Sequence, residues 1–158
     1  MIHPRFLNLV VAALTLAVVS TARPSLAEVE RINVESLGRL PAFSHATVAS
    51  GQLVFVAGTL GTVPGTPDLA SGGVSAQTKQ ALANIDRILD AARTDRANVL
   101  SCTVYLTDMT KFAEMNEAWI PFFGDRPPAR ATIGVQALAL GAAVEIECIA
   151  QRTVTTAG

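Results

Sequence analysis

The chain has 158 residues, half of them apolar and 16% charged, with a formal net charge of −1. Its arginines are scattered and its lysines are only two, Lys79 and Lys111, so there is no basic stripe for a phosphate backbone and nucleic acid is a poor partner on electrostatic grounds. A small anionic metabolite stays open, because one buried arginine can bind a carboxylate whatever the net charge.

The first 27 residues read as an export signal. Arg5 supplies a short basic start, Phe6 to Val19 is an apolar run, and Ser25 and Ala27 have the small-residue spacing of a cleavage site. The run falls short of the roughly twenty residues a bilayer core requires, and no stop-transfer charges follow it. Cleavage after Ala27 is therefore expected in preference to an uncleaved anchor, giving a periplasmic or secreted protein with no stable membrane association. The remaining segment, 28–158, is one domain by size and long enough to enclose a core. The first 27 residues carry Arg5 and Arg23 and no acid, so the rest holds ten cations against thirteen acids, a charge of −3.

Period then divides the domain. Glu30 to Val34 reads as a short strand, and Ser44 to Gly58 as two strands around a Ser50-Gly51-Gln52 turn. A Gly/Pro-rich loop begins at Thr59 and runs to Gly73, too long for a tight hairpin. From an expected N-cap at Ser75, the residues Ala81, Leu82, Ile85, Ile88, Leu89 and Ala92 form one apolar helical stripe. Val99 to Thr107 is β-branched and reads as a strand. Phe112, Met115, Trp119 and Phe122 with Phe123 mark a second amphipathic helix, which Pro121 should distort or end. Two strands close the chain, in "ARATIGV" and "AAVEIECIAQR".

Strand, hairpin, helix, strand, helix, strand, strand is the order of an α+β two-layer sandwich, with both helices on one face of the sheet. In the last strand Val144, Ile146 and Cys148 point one way and Glu145, Glu147 and Ile149 the other. The mixed second set fits a sheet face that is partly solvated or joined to another subunit. Cys102 and Cys148 read as two buried small apolar side chains, although an oxidising compartment would permit a bridge and geometry decides whether two strand cysteines can be joined. With His45 they supply too few donors for a structural zinc site. His45, the one histidine past residue 27, reads as a local hydrogen bonder.

The segments "FSHA", "LVFVAG", "QTKQALANIDRILDAA", "CTVYLTDMTKFAEMNEAW", "PPARATIGV" and "VEIECIA" stand in order and spacing between about Phe43 and Arg152. Together they resemble the RidA (YjgF-type) imine deaminase family. The resemblance implies a chorismate-mutase-like α+β fold, a homotrimer with inter-subunit clefts, and hydrolysis of 2-imino acids or enamines such as 2-aminoacrylate to 2-keto acids and ammonia, without metal or organic cofactor. It places the substrate-binding arginine on Arg130 and the water-positioning acid on Glu145, with Glu147 as a rival on the same strand face. Asn116 falls on the family's helix asparagine, and the chain near Gly58 and Thr132 should border the cleft.

Three positions depart from the family pattern. Phe43 stands where a tyrosine is common, Ala57 where a serine precedes Gly58, and Thr132 where a cysteine is frequent. Each lost hydroxyl donor weakens binding by about 0.5–1.5 kcal/mol and leaves a more apolar pocket, open to a bulkier or aromatic substrate. A non-catalytic ligand-binding or holdase-like trimer of the same fold is the alternative function.

Overall fold

The computed structural model describes residues 28–152. The expected signal peptide and its cleavage site lie outside the described residues. Within them, no helix is long and apolar enough to cross a membrane.

Strands β1 (Glu30–Ile32) and β2 (Ala46–Val48) pair antiparallel as a small separate sheet. The main sheet is mixed and holds β3 (Gln52–Leu60), β4 (Val99–Leu106), β5 (Ala129–Gly134) and β6 (Val144–Arg152) in the order β3-β6-β4-β5. Only β4 and β5 run parallel, and β5 is an edge strand. Helices α1 (Gly73–Ala91) and α2 (Phe112–Phe123) cover one face, giving the expected α+β sandwich.

The core lies between the layers. Leu82, Ile85 and Leu89 of α1 and Met115 and Trp119 of α2 meet Val104, Leu106, Val144 and Ile146 of the sheet, all of them essentially inaccessible to water. Along β6 burial alternates as the period predicts, with Val144, Ile146 and Cys148 inside and Glu145, Glu147 and Ile149 on the outer face. Phe55 is 73% exposed and Leu53 and Ile133 about half exposed on that outer face, more apolar surface than a solvated sheet face carries.

Several local expectations are corrected. The strands flanking Ser50 to Gln52 form, but β2 pairs with β1, and β3 pairs with β6, Gln52 lying opposite Arg152. A turn signal bends the chain; it does not choose a strand's partner. The Gly/Pro-rich loop starts later than Thr59, since β3 runs to Leu60, and it folds back on itself through a Thr62–Leu69 bridge. Helix α1 starts two residues before Ser75, with Gly72 at the cap position (φ 114°) and no side-chain cap. The capping acid comes from the other helix: Glu114 Oε1 accepts the Ser75 N–H at 3.2 Å, and its other oxygen meets Lys111 Nζ at 3.2 Å. Ile88 points away from the sheet and is 40% exposed. Pro121 neither breaks nor ends α2, because the backbone bond it removes lies in the last turn; the helix stops at Gly124, which has φ 57°.

The Ser75 N–H, and Lys111 second, hold the Glu114 carboxyl below the usual glutamate range. A depressed carboxyl stabilises the fold above its unfolded pKa and loses that contribution as pH falls through the folded value. Glu114→Gln should therefore melt roughly 2–3 °C below the parent at neutral pH. In thermal scans that gap should close as the pH drops below the glutamate range.

Cys102 and Cys148 are not separate apolar fillers. They face each other across β4 and β6 with Cα atoms 4.1 Å apart and are joined as a disulfide, both about 2% exposed. Their pairing depends on a register set across 46 residues of chain.

Candidate functional site

The loop before β5 is fastened from several sides. Pro127 and Pro128 are buried, and the Pro127 carbonyl accepts from Ser44 Oγ at 2.7 Å and Arg31 Nε at 3.3 Å. Ser44 N–H donates to Pro128 O at 2.9 Å, and Ser44 bridges Ala129 in parallel fashion. Arg31 also donates from Nη1 to the Val29 carbonyl and from Nη2 to the Ala97 carbonyl, so it acts as a clamp on this loop. Two prolines restrict the approach and these bonds fix its end, so Arg130 enters β5 at a set angle.

Arg130 pairs in the ladder with Cys102, whose side chain faces the helices, so Arg130 faces them too. Its Nη1 donates to Asn116 Oδ1 at 2.7 Å and lies 3.9 Å from Met115 Sδ. The guanidinium carbon sits 4.9 Å from the Trp119 ring centre and 5.6 Å from that of Phe112. Phe112, Asn116 and Trp119 are spaced i, i+4, i+7, which puts all three on one side of α2. Among the described residues Arg130 makes no ion pair. Burial pushes it down to about 10, still a cation at neutral pH. A half-buried guanidinium held by an amide and two rings, with donors to spare and no carboxylate among the described residues, has the chemistry to accept an anion.

Thr132 lies two residues on, facing the same way, and its Oγ1 is buried with no hydrogen-bond partner. Phe43 is joined to this region through its neighbours: Trp119 Nε1 donates to Ala42 O at 2.8 Å, and Ser44 holds the proline loop. Phe43 itself lines a cavity of about 500 Å³ with Arg39, Pro41 and Pro127.

Glu145, Ala57 and Gly58 form a second group on the other face of the sheet. The β3–β6 register slips between Val56 and Thr59, so Ala57 and Gly58 together oppose a single residue, Glu147. This bulge brings the Gly58 backbone against the Glu145 carboxylate, where any Cβ would overlap Oε1. Glu145 pairs with Tyr105, an outer-face position, whereas Arg130 pairs with Cys102, an inner one. Within one chain the two therefore stand on opposite faces of the sheet with β4 between their strands.

Glu147 is engaged elsewhere. Its Oε1 accepts from Tyr105 Oη at 2.8 Å, a bond that holds the phenol above its ordinary pKa. His45 Nδ1 accepts the Val34 N–H at 3.0 Å, the local role expected of it. Helical period gives Trp119 and Phe112 as core-facing residues and does not reveal them as a platform for Arg130. Their spacing relative to Asn116 was the available signal.

A two-layer α+β sandwich with a half-buried arginine on the edge strand β5 has the fold of the Rid proteins. The chain is a member of the YjgF/RidA family: the family model described as Endoribonuclease L-PSP matches residues 35–152. A rat protein named 2-iminobutanoate/2-iminopropanoate deaminase is 42% identical over 118 residues, 74% of this chain and 85% of the relative. The human protein of the same name is 39% identical over 121 residues, 76% and 88% of the two chains. Among solved structures, a Yersinia pestis protein of the conserved Rid family, described as of unknown function, superposes with a TM-score of 0.72 at 33% identity, covering 79% of this chain and 99% of that one. RidA from an Antarctic Psychrobacter gives a TM-score of 0.62 at 34% identity over 77% and 94%.

Proposed function

We propose that this protein is an exported, homotrimeric hydrolase of 2-imino acids and their enamine tautomers, releasing 2-keto acids and ammonia. The observation that carries the reading is Arg130, half-buried, oriented by Asn116 and Trp119, and without a carboxylate partner among the described residues. The deaminase names of the mammalian relatives support the reaction class. The apolar outer face with Phe55, Leu53 and Ile133 supports self-association.

In this reading the substrate carboxylate lies against the Arg130 fork, which fixes the angle of the adjoining iminium carbon. Glu145 accepts a proton from a water molecule as its oxygen bonds to that carbon. The resulting carbinolamine takes that proton on nitrogen and expels ammonia as its hydroxyl gives a proton back to Glu145, which passes it to the departing ammonia as ammonium, leaving the keto acid. Because Arg130 and Glu145 stand on opposite sheet faces, a site containing both draws Arg130 from one subunit and Glu145 from its neighbour.

The test is keto acid release from 2-iminopropanoate generated in situ by an amino-acid oxidase. Release above the buffer rate is expected, and a rate equal to buffer removes the reading. Suppression of client aggregation without any such release would favour the holdase alternative instead. Gly58→Ala should lower kcat by roughly ten- to a hundredfold, because its methyl group displaces the Glu145 carboxylate while leaving Arg130 untouched. Steady-state kinetics should show KM nearly unchanged.

The family's endoribonuclease description finds no support in these residues, with a charge of −3 beyond residue 27 and His45 committed to a backbone N–H.

A further inference from the structure

One row of the main sheet joins both halves of the site. Val56, Cys148, Cys102 and Arg130 are successive ladder partners on β3, β6, β4 and β5. Val56 directly precedes the bulge at Ala57 and Gly58. The disulfide is the covalent link at the middle of that row, and Arg130 is its next neighbour on the same face.

Both ends of the row are edge strands, β3 next to Cys148 and β5 next to Cys102, and Arg130 stands on the end beside Cys102. Cys102 and Cys148 are packed in the core with Val56, Val104 and Ile146, each of them 4% exposed or less. Two thiols in place of one disulfide need more room, because each sulfur gains a hydrogen and the pair is no longer bonded. A shift of Cys102 is passed through the β4–β5 ladder to the residue paired with it, Arg130. The Asn116 contact at 2.7 Å and the stacking on Trp119 both depend on where β5 lies.

We infer that the Cys102–Cys148 disulfide is a positioning pair for Arg130, holding the carboxylate fork in place when closed and releasing it when reduced. The inference rests on the deaminase reading for its substrate, but its direct readout is carboxylate binding. Opening is a two-electron step. A small dithiol attacks one sulfur, the Cys102–Cys148 bond breaks, both cysteines leave as thiols, and the dithiol departs as its own cyclic disulfide.

The test uses the mature protein with and without dithiothreitol, with pyruvate as the carboxylate probe. Trp119 is the only tryptophan of the chain and lies under Arg130, so its fluorescence reports the site directly. Thiol titration in denaturant should find no free thiol before reduction and two per chain after it. Reduction should raise the pyruvate Kd about tenfold and the KM for 2-iminopropanoate alike, with kcat within about twofold. Re-oxidation should restore the parent, whereas Cys102→Ala/Cys148→Ala should resemble the reduced protein in both oxidation states. Should that variant fail to fold, the reduced parent alone decides, its folded state checked by circular dichroism.

Pyruvate binding that tightens on oxidation, without any keto acid release, would sustain this inference while removing the deaminase reading. An unchanged Kd after complete opening would make the disulfide a stability staple only and overturn the inference. So would two free thiols in the untreated protein, or no pyruvate binding in either state.

Discussion

Arg130→Ala should lower kcat/KM for 2-iminopropanoate by about a hundredfold, mainly through KM. A charge-assisted hydrogen bond contributes roughly 1.5–3 kcal/mol, and each 1.4 kcal/mol is about tenfold in rate or affinity. Arg130→Lys keeps a cation near Asn116 but loses the two parallel donors, and should recover only part of the loss, remaining about tenfold below the parent. Stability should move the other way. Burial penalises the Arg130 charge and no ion pair among the described residues offsets it, so the alanine variant should melt at or above the parent temperature. A surface arginine that merely anchored a loop would give the opposite pair of results, unchanged kinetics and a lower Tm.

Glu145→Gln should cut kcat by about a hundred- to a thousandfold with KM little changed, since the amide keeps the shape but cannot take the proton from water. Glu147→Gln is the internal control. Its carboxylate is occupied by the Tyr105 hydroxyl at 2.8 Å, so its loss should leave kcat within about threefold. Should the control fall instead, the water-positioning role belongs to Glu147. Stopped assays with both variants, each checked for an unchanged melting temperature, separate the two outcomes.

The layers of the fold were readable because they follow from local period. The stripe of Ala81, Leu82, Ile85 and Leu89, and the alternation of Val144 to Ile149, each fix an element and its buried face without reference to the rest of the chain. What could not be read depends on partners far away in sequence. A turn joins β2 to β3, yet the pairing of β3 is decided by β6, a hundred positions later at Gln52 and Arg152. Serine is a common helix cap, but at the start of α1 Glu114 from α2 fills that role by accepting the Ser75 N–H. The cysteine pairing has the same origin, since only the β4–β6 register sets Cys102 opposite Cys148.

For the site, the prolines ahead of Arg130 signalled a rigid approach, and its neighbours Ser44 and Arg31 supply the anchors that sequence could not name. Period also put Glu145 on the outer face. That Arg130 takes the inner one follows from the β4–β5 register alone, and it turns an apparent pair within one chain into two halves of a site. The loss of hydroxyls at Phe43 and Ala57 acquires a location as well: Phe43 lies beside the proline loop and Ala57 in the bulge beside Glu145, on different halves.

Mixing the two inactive variants tests the central claim most directly. Arg130→Ala and Glu145→Gln chains are combined in equal amounts, unfolded and refolded together, and assayed for keto acid release. If each site takes Arg130 from one subunit and Glu145 from the next, random assembly places both intact residues together in about a quarter of the sites, and activity should return to about a quarter of the parent rate. Refolded mixtures as inactive as the separate variants, with trimer formation verified by light scattering, would contradict a catalytic cleft shared between subunits.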